Sequence, residues 1–159
     1  MSTLKAIKKG FLQKGWAGQT ISRAETAERL DPIIRQHIRV NRMYDAALLE
    51  LSVETDELTA QQKTARAMVG KIAETIYSCG GVAYQGTDLE PQDFRSTESD
   101  EDIFRRLHLV ETDLAELLKT ESDIEHQIRT RAILAAVQDA CTERTNTMVE
   151  LAKSIRVFF

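Results

Sequence analysis

Residues 56–79, DELTAQQKTARAMVGKIAETIYSC, carry the most regular apolar pattern in the chain. Ala65, Met68, Val69, Ile72, Ala73, Ile76 and Tyr77 step by three and four, the spacing that lines one face of an α-helix. Gly80-Gly81 follows at once and ends the pattern, as glycine commonly does just past a helix terminus. Gly70, in the middle of the run, costs about 1 kcal/mol relative to alanine there, so a close approach by a neighbouring element is expected.

Three further helices are predicted around this one. Upstream, Ser22-x-x-Glu25 forms a capping box, and Asp31-Pro32 then supplies an N-cap followed by a first-turn proline. The first long helix is accordingly placed at Pro32–Val53, with Ile33, Ile34, Ile38, Val40, Tyr44, Ala47, Leu48 and Leu51 inward. Downstream, a helix starts near Ser99 or Asp100, its acids suited to a positive helix terminus, with Ile103, Leu107, Val110, Leu114 and Leu117 as its seam. Neither glycine nor proline marks its end, which falls between Lys119 and Gln127. The last helix continues to about Arg156 on Ile133, Ala136, Val137, Ala140, Met148, Leu151, Ala152 and Ile155, with a polar middle, Thr142–Thr147. Between Gly80 and Asp100 lies a breaker-rich connection of a length that usually crosses a bundle or carries function. The fold class expected is all-α: a four-helix bundle over residues 21–159, with a long crossover between its second and third helices.

The chain has 159 residues, enough for one domain with its own core. Its net charge of −4 hides a division: Lys5, Lys8, Lys9 and Lys14 give residues 1–16 a charge of +4, leaving −8 on the remainder. Leu4, Ile7, Phe11 and Leu12 lie between those lysines at helical spacing, so residues 1–20 read as a short basic amphipathic arm. Clustered lysines without acids suit a phosphate backbone. A membrane-surface helix, or a lysine face packed on the bundle, are the other readings of the arm. No stretch approaches the apolar length that crosses a bilayer and no secretory pattern opens the chain, so a cytoplasmic protein is expected.

Cys79 and Cys141 are far apart within apolar helical patterns and read as buried free thiols. His37, flanked by Arg35 and Arg39, reads as a surface or interface histidine. His108 has Glu111 at ligand-compatible spacing but adjoins an apolar seam, where a structural histidine is expected. His126 falls in the expected turn between the third and fourth helices, and the neighbouring Glu125 cannot share a helical face with it. The acid run Glu98–Asp102 reads as a solvated helix start, with an acidic pore lining as the lesser alternative. No Glu-x-x-His pair, phosphate loop, Cys-x-x-Cys or hydrolytic triad motif is visible, which leaves hydrolase, kinase and thiol-redox readings without support.

Residues 72–83, IAETIYSCGGVA, followed by Gly86-Thr87, resemble the segment that closes the second helix of Dps-type mini-ferritins, a ferritin-like family. The order of parts over residues 30–156 is similar too. The resemblance implies a homo-oligomer, in that family a hollow dodecamer, that binds DNA through basic termini and oxidises and stores iron in stress protection. It maps the ferroxidase glutamate onto Glu74, but the family's aspartate one turn earlier falls on Gly70, and the two first-helix histidines have no counterparts, Met43-Tyr44 occupying their region. The leading expectation is therefore a Dps-like DNA-binding and DNA-protecting oligomer with Lys5, Lys8, Lys9 and Lys14 on DNA and a degraded ferroxidase site. The alternatives are an iron-oxidising ferritin-like enzyme, a ferroxidase using Glu74 with atypical ligands such as Glu50, Glu54 or His37, and a non-enzymatic helical interaction module.

Overall fold

A computed structural model describes residues 20–95 and 99–159, so the arm lysines Lys5, Lys8, Lys9 and Lys14 lie outside the described residues. Four long helices account for most of it: α1 (Arg23–Glu50), α2 (Asp56–Ser78), α3 (Asp100–Glu121) and α4 (Ile128–Ser154). No strand occurs among the described residues, and no described helix is long and apolar enough to cross a membrane.

The first helix begins nine residues earlier than Asp31-Pro32 suggests. Ser22 is the N-cap, its Oγ accepting from the Glu25 amide at 3.1 Å, while the Glu25 carboxylate accepts from Arg29. Pro32 lies inside α1 with its ring exposed. An interior proline deletes one backbone bond at a cost of about 3 kcal/mol. Continuity is favoured because Ile21, Leu30, Ile33 and Ile34 are all buried, and ending the helix at Pro32 would pull Leu30 off that face. The other boundaries agree with the sequence reading to within a few residues, and the open end of the third helix resolves to Glu121, capped by Ser122.

Each helix packs against two others: α1 against α2 and α3, and α4 against the same two, so α1 and α4 are diagonal. Arg29 near the start of α1 reaches Glu121 at the end of α3, while Ser52 just past the end of α1 donates to Asp100 at the start of α3, making that pair antiparallel. Gln61 of α2 donates to Thr147 of α4, and Lys71, later in α2, shares a groove with Arg129, at the start of α4; they too are antiparallel.

After α2, residues 81–95 lie along α1. Gly81 approaches Ala27, Gly86 approaches Ile38, and Pro91 and Phe94 line a hollow with Arg42, Asp45 and Leu49. A 3₁₀ turn at Pro91–Asp93 buries Phe94, and Arg106 of α3 donates to the carbonyls of Asp93 and Arg95. Gly86 is required on two counts: its φ is +72°, and a Cβ there would lie 2.8 Å from Ile38 Cγ2. Gly70 behaves otherwise. It is exposed, and a Cβ would meet nothing within 4 Å, so the close approach expected from the sequence is absent.

These two glycines should therefore respond oppositely to alanine. Gly86→Ala is expected to destabilise the fold by about 1–3 kcal/mol, and Gly70→Ala to stabilise it by up to about 1 kcal/mol, both read from urea unfolding midpoints.

Candidate functional site

The centre of the bundle is polar. Glu111 of α3 stands in register with Leu107, Leu114 and Leu118, and Arg144 of α4 with Val137, Cys141 and Met148, so the faces that bury the apolar residues also carry both charges inward. Arg144 is 1% exposed and Glu111 also 1%. The guanidinium meets the carboxylate in a fork: Nε donates to Oε1 and Nη2 to Oε2, the latter at 3.0 Å. Cys141 Sγ donates to Glu111 Oε2 at 3.1 Å. Burial pushes that thiol up to about 12, and the Glu111 charge adds to the effect, so it stays protonated and inert.

Helix α1 contributes His37, Asn41 and Tyr44, spaced by four and three on one face, and α2 contributes Gln62. The Tyr44 ring lies against the guanidinium, with Arg144 Cζ 5.5 Å from its centroid. Burial first, and the Glu111 charge second, hold the Tyr44 hydroxyl well above the ordinary tyrosine range. For Arg144, burial opposes the charge, but the adjacent carboxylate outweighs it and raises the pKa. Burial, and after it the positive Arg144, lower His37 to about 4, so the imidazole is neutral at physiological pH.

The side chain of His37 is within hydrogen-bonding reach of Asn41, and the Tyr44 hydroxyl of Glu111, whereas two buried polar atoms of the cluster, Gln62 Oε1 and Arg144 Nη1, make no hydrogen bond among the described residues. Folded proteins leave few such atoms. Gln62 Nε2 donates to the Asn41 carbonyl at 3.0 Å, tying α2 to α1, and Asn41 lines a surface groove between those helices. The cluster therefore extends from the bundle axis to that groove.

His37 was expected at the surface or an interface; at 1% exposure it is a core residue. Its two arginine neighbours point elsewhere, Arg35 onto the Tyr84 ring at 4.2 Å, and helical geometry alone turns position 37 inward between Ile34 and Ile38. Glu50 is thirteen residues further along α1, roughly 20 Å at 1.5 Å per residue, and Glu54 is exposed in the following loop, so neither joins His37 in one site. Glu74 is exposed on α2 and lines a separate groove with Lys71, Arg129 and Thr130. Among the described residues, no three His, Cys, Asp or Glu side chains are grouped to hold a metal ion.

The remaining candidates take structural places. His108 stacks on Phe159 with centroids 4.2 Å apart, while Glu111 turns away to the core. His126 is buried and pairs through Nε2 with Glu121 Oε2 at 2.6 Å, five residues back, and Arg29 joins the same carboxylate. Cys141 is buried as expected, but Cys79 is partly exposed and lines the Glu74 groove. Of the acid run, Asp100 holds Ser52 and Glu101 pairs with Arg105; Glu98 lies outside the described residues. No protein-family model matches the chain, and no curated protein matches it.

His37 sets a pH signature. Its folded pKa of about 4 lies below the ordinary 6.5, so the unfolded chain binds a proton between those values that the folded chain refuses. Stability should fall as pH drops through that window, by up to about 1.4 kcal/mol per pH unit, and level off below it. His37→Gln should remove that share of the slope in urea midpoints measured across the pH series.

Proposed function

We propose that the chain is a homo-oligomeric, DNA-binding four-helix-bundle protein of the mini-ferritin kind, with residues 1–16 contacting the phosphate backbone and a core that is structural rather than iron-oxidising. The observation that carries the choice is the Glu111–Arg144 pair. A carboxylate-bridged iron site needs inward carboxylates held open for a cation, whereas here an inward carboxylate is neutralised by a fixed guanidinium. Glu74, the position that corresponds to the ferroxidase glutamate, shares its groove with the cations Lys71 and Arg129, which oppose a divalent metal.

The charge division supports the DNA half of this reading. With −8 on residues 17–159, attraction to DNA must come from the +4 of residues 1–16. Assembly multiplies the arms presented to one duplex and so raises avidity without new contacts.

Four lysines per arm give an expected salt slope of up to about −3.6 in log K against log salt, at roughly −0.9 per phosphate contact. Replacing Lys5, Lys8, Lys9 and Lys14 together by glutamine should abolish a gel shift with duplex DNA and leave the particle mass in light scattering unchanged. Retained DNA binding by that variant contradicts the proposal, and so does iron-dependent oxygen uptake that Glu74→Ala removes.

A further inference from the structure

Helix α4 begins without a side-chain cap. Gln127, its N-cap residue, offers the first turn no side-chain hydrogen bond, and that turn holds no acid. The first bond of the helix runs from the Arg131 amide to the Gln127 carbonyl, so the amides of Ile128, Arg129 and Thr130 stand ahead of the ladder at the positive end of a 27-residue helix. Gln127, Arg129 and Thr130 line one wall of a hollow of about 430 Å³, and Lys71, Glu74 and Ser78, on one face of α2, line the other.

Thr130 indicates what this hollow accepts. It is 4% exposed and makes no hydrogen bond among the described residues. Other helical threonines, Thr75 and Thr142 among them, donate to the carbonyl four residues back. For Thr130 that carbonyl belongs to His126, which precedes the helix and accepts from Arg131 instead. Unlike Gln62 Oε1 and Arg144 Nη1, the Thr130 hydroxyl is not sealed from solvent, and the hollow is the surface that Thr130 lines. A recessed hydroxyl left without a partner favours a polar ligand that reaches it.

The charges say which kind. Lys71 and Arg129 flank the hollow and form no ion pair among the described residues, and the one carboxylate, Glu74, leaves an excess of one positive charge. A phosphate group, with three terminal acceptor oxygens, meets amides, hydroxyl and cations together. Lys71, Arg129 and Ile133 also border a second hollow, of about 250 Å³, whose remaining walls include the apolar Met68, Ala136 and Val137.

We infer that this end of the α2–α4 groove binds a small phosphomonoester. The phosphate lies at the first turn of α4 against Thr130, Lys71 and Arg129, and a compact apolar body lies over Ile133 in the adjoining hollow. The inference uses no residue of the arm and stands apart from the DNA reading.

Cys79 lines the same hollow and is partly exposed, so its alkylation by iodoacetamide reports occupancy in the full-length protein, while Cys141, buried and protonated, stays silent. Phenyl phosphate should protect Cys79 saturably, at a several-fold lower concentration than inorganic phosphate, and sodium chloride at equal ionic strength should not. Arg129→Gln and Lys71→Gln should each raise the half-protecting concentration about tenfold. Thr130→Val, which keeps the buried shape and deletes the hydroxyl, should raise it several-fold, with helical circular dichroism retained in all three variants. Glu74→Gln should lower it, since a repelling charge is removed. Arg42→Gln, in the groove between α1 and α2, should change nothing. Absence of protection, or wild-type values in all three weakened variants, overturns the inference. Loss of protection in Glu74→Gln also overturns it, because the carboxylate would then be holding a cation. So does protection by duplex DNA that phenyl phosphate does not reproduce, which would make the hollow part of a DNA-contacting surface.

Discussion

The buried ion pair between Glu111 and Arg144 constrains everything around it. Two charges withdrawn from water must meet in good geometry, or the fold carries an uncompensated ion at a cost of several kcal/mol. That requirement fixes the register of α3 against α4, because only one alignment of the two seams puts the carboxylate in the fork of the guanidinium. It also shapes the α1 side. Tyr44 presents its ring to the guanidinium, and the positive charge helps keep His37 neutral.

The pair also bears on the chemistry the bundle can perform. An inward carboxylate on a bundle helix is the raw material of a metal centre, and a neighbouring cation on the facing helix removes its appeal to a metal. The surrounding groups reinforce this. The Cys141 thiol is held protonated, the Tyr44 hydroxyl likewise, and the imidazole of His37 shares its surroundings with Arg144 rather than with acids. The polar cluster reaches outward as far as Asn41, whose main-chain carbonyl accepts from Gln62 of α2 beside the surface groove.

Much of the fold was legible because helix formation follows from apolar spacing, which residues 56–79 display without ambiguity. The start of α1 was misplaced because Asp31-Pro32 imitates a helix beginning; only the burial of Leu30 and Ile21 decides for Ser22. Gly70 does not mark a close approach but faces open space, as the register of the buried Ala65, Ile72 and Ile76 on the same helix requires. The core cluster was missed for a related reason. Glu and Arg are surface residues by default, and the polar stretch Thr142–Thr147 gave no sign that Arg144 alone turns inward. A signal did exist: Arg144 follows Val137 and Cys141 and precedes Met148 at core spacing, as Glu111 does between Leu107 and Leu114. It acquires meaning only when two such breaks, of opposite charge, fall on facing helices.

A double-mutant cycle at Glu111 and Arg144, followed by urea unfolding, tests the role of this pair most directly. Glu111→Leu and Arg144→Leu should each cost about 3–5 kcal/mol, because each leaves one buried charge alone, and the double variant should cost less than either single one. If instead the two losses simply add, the residues act independently, and the pair does not organise the core.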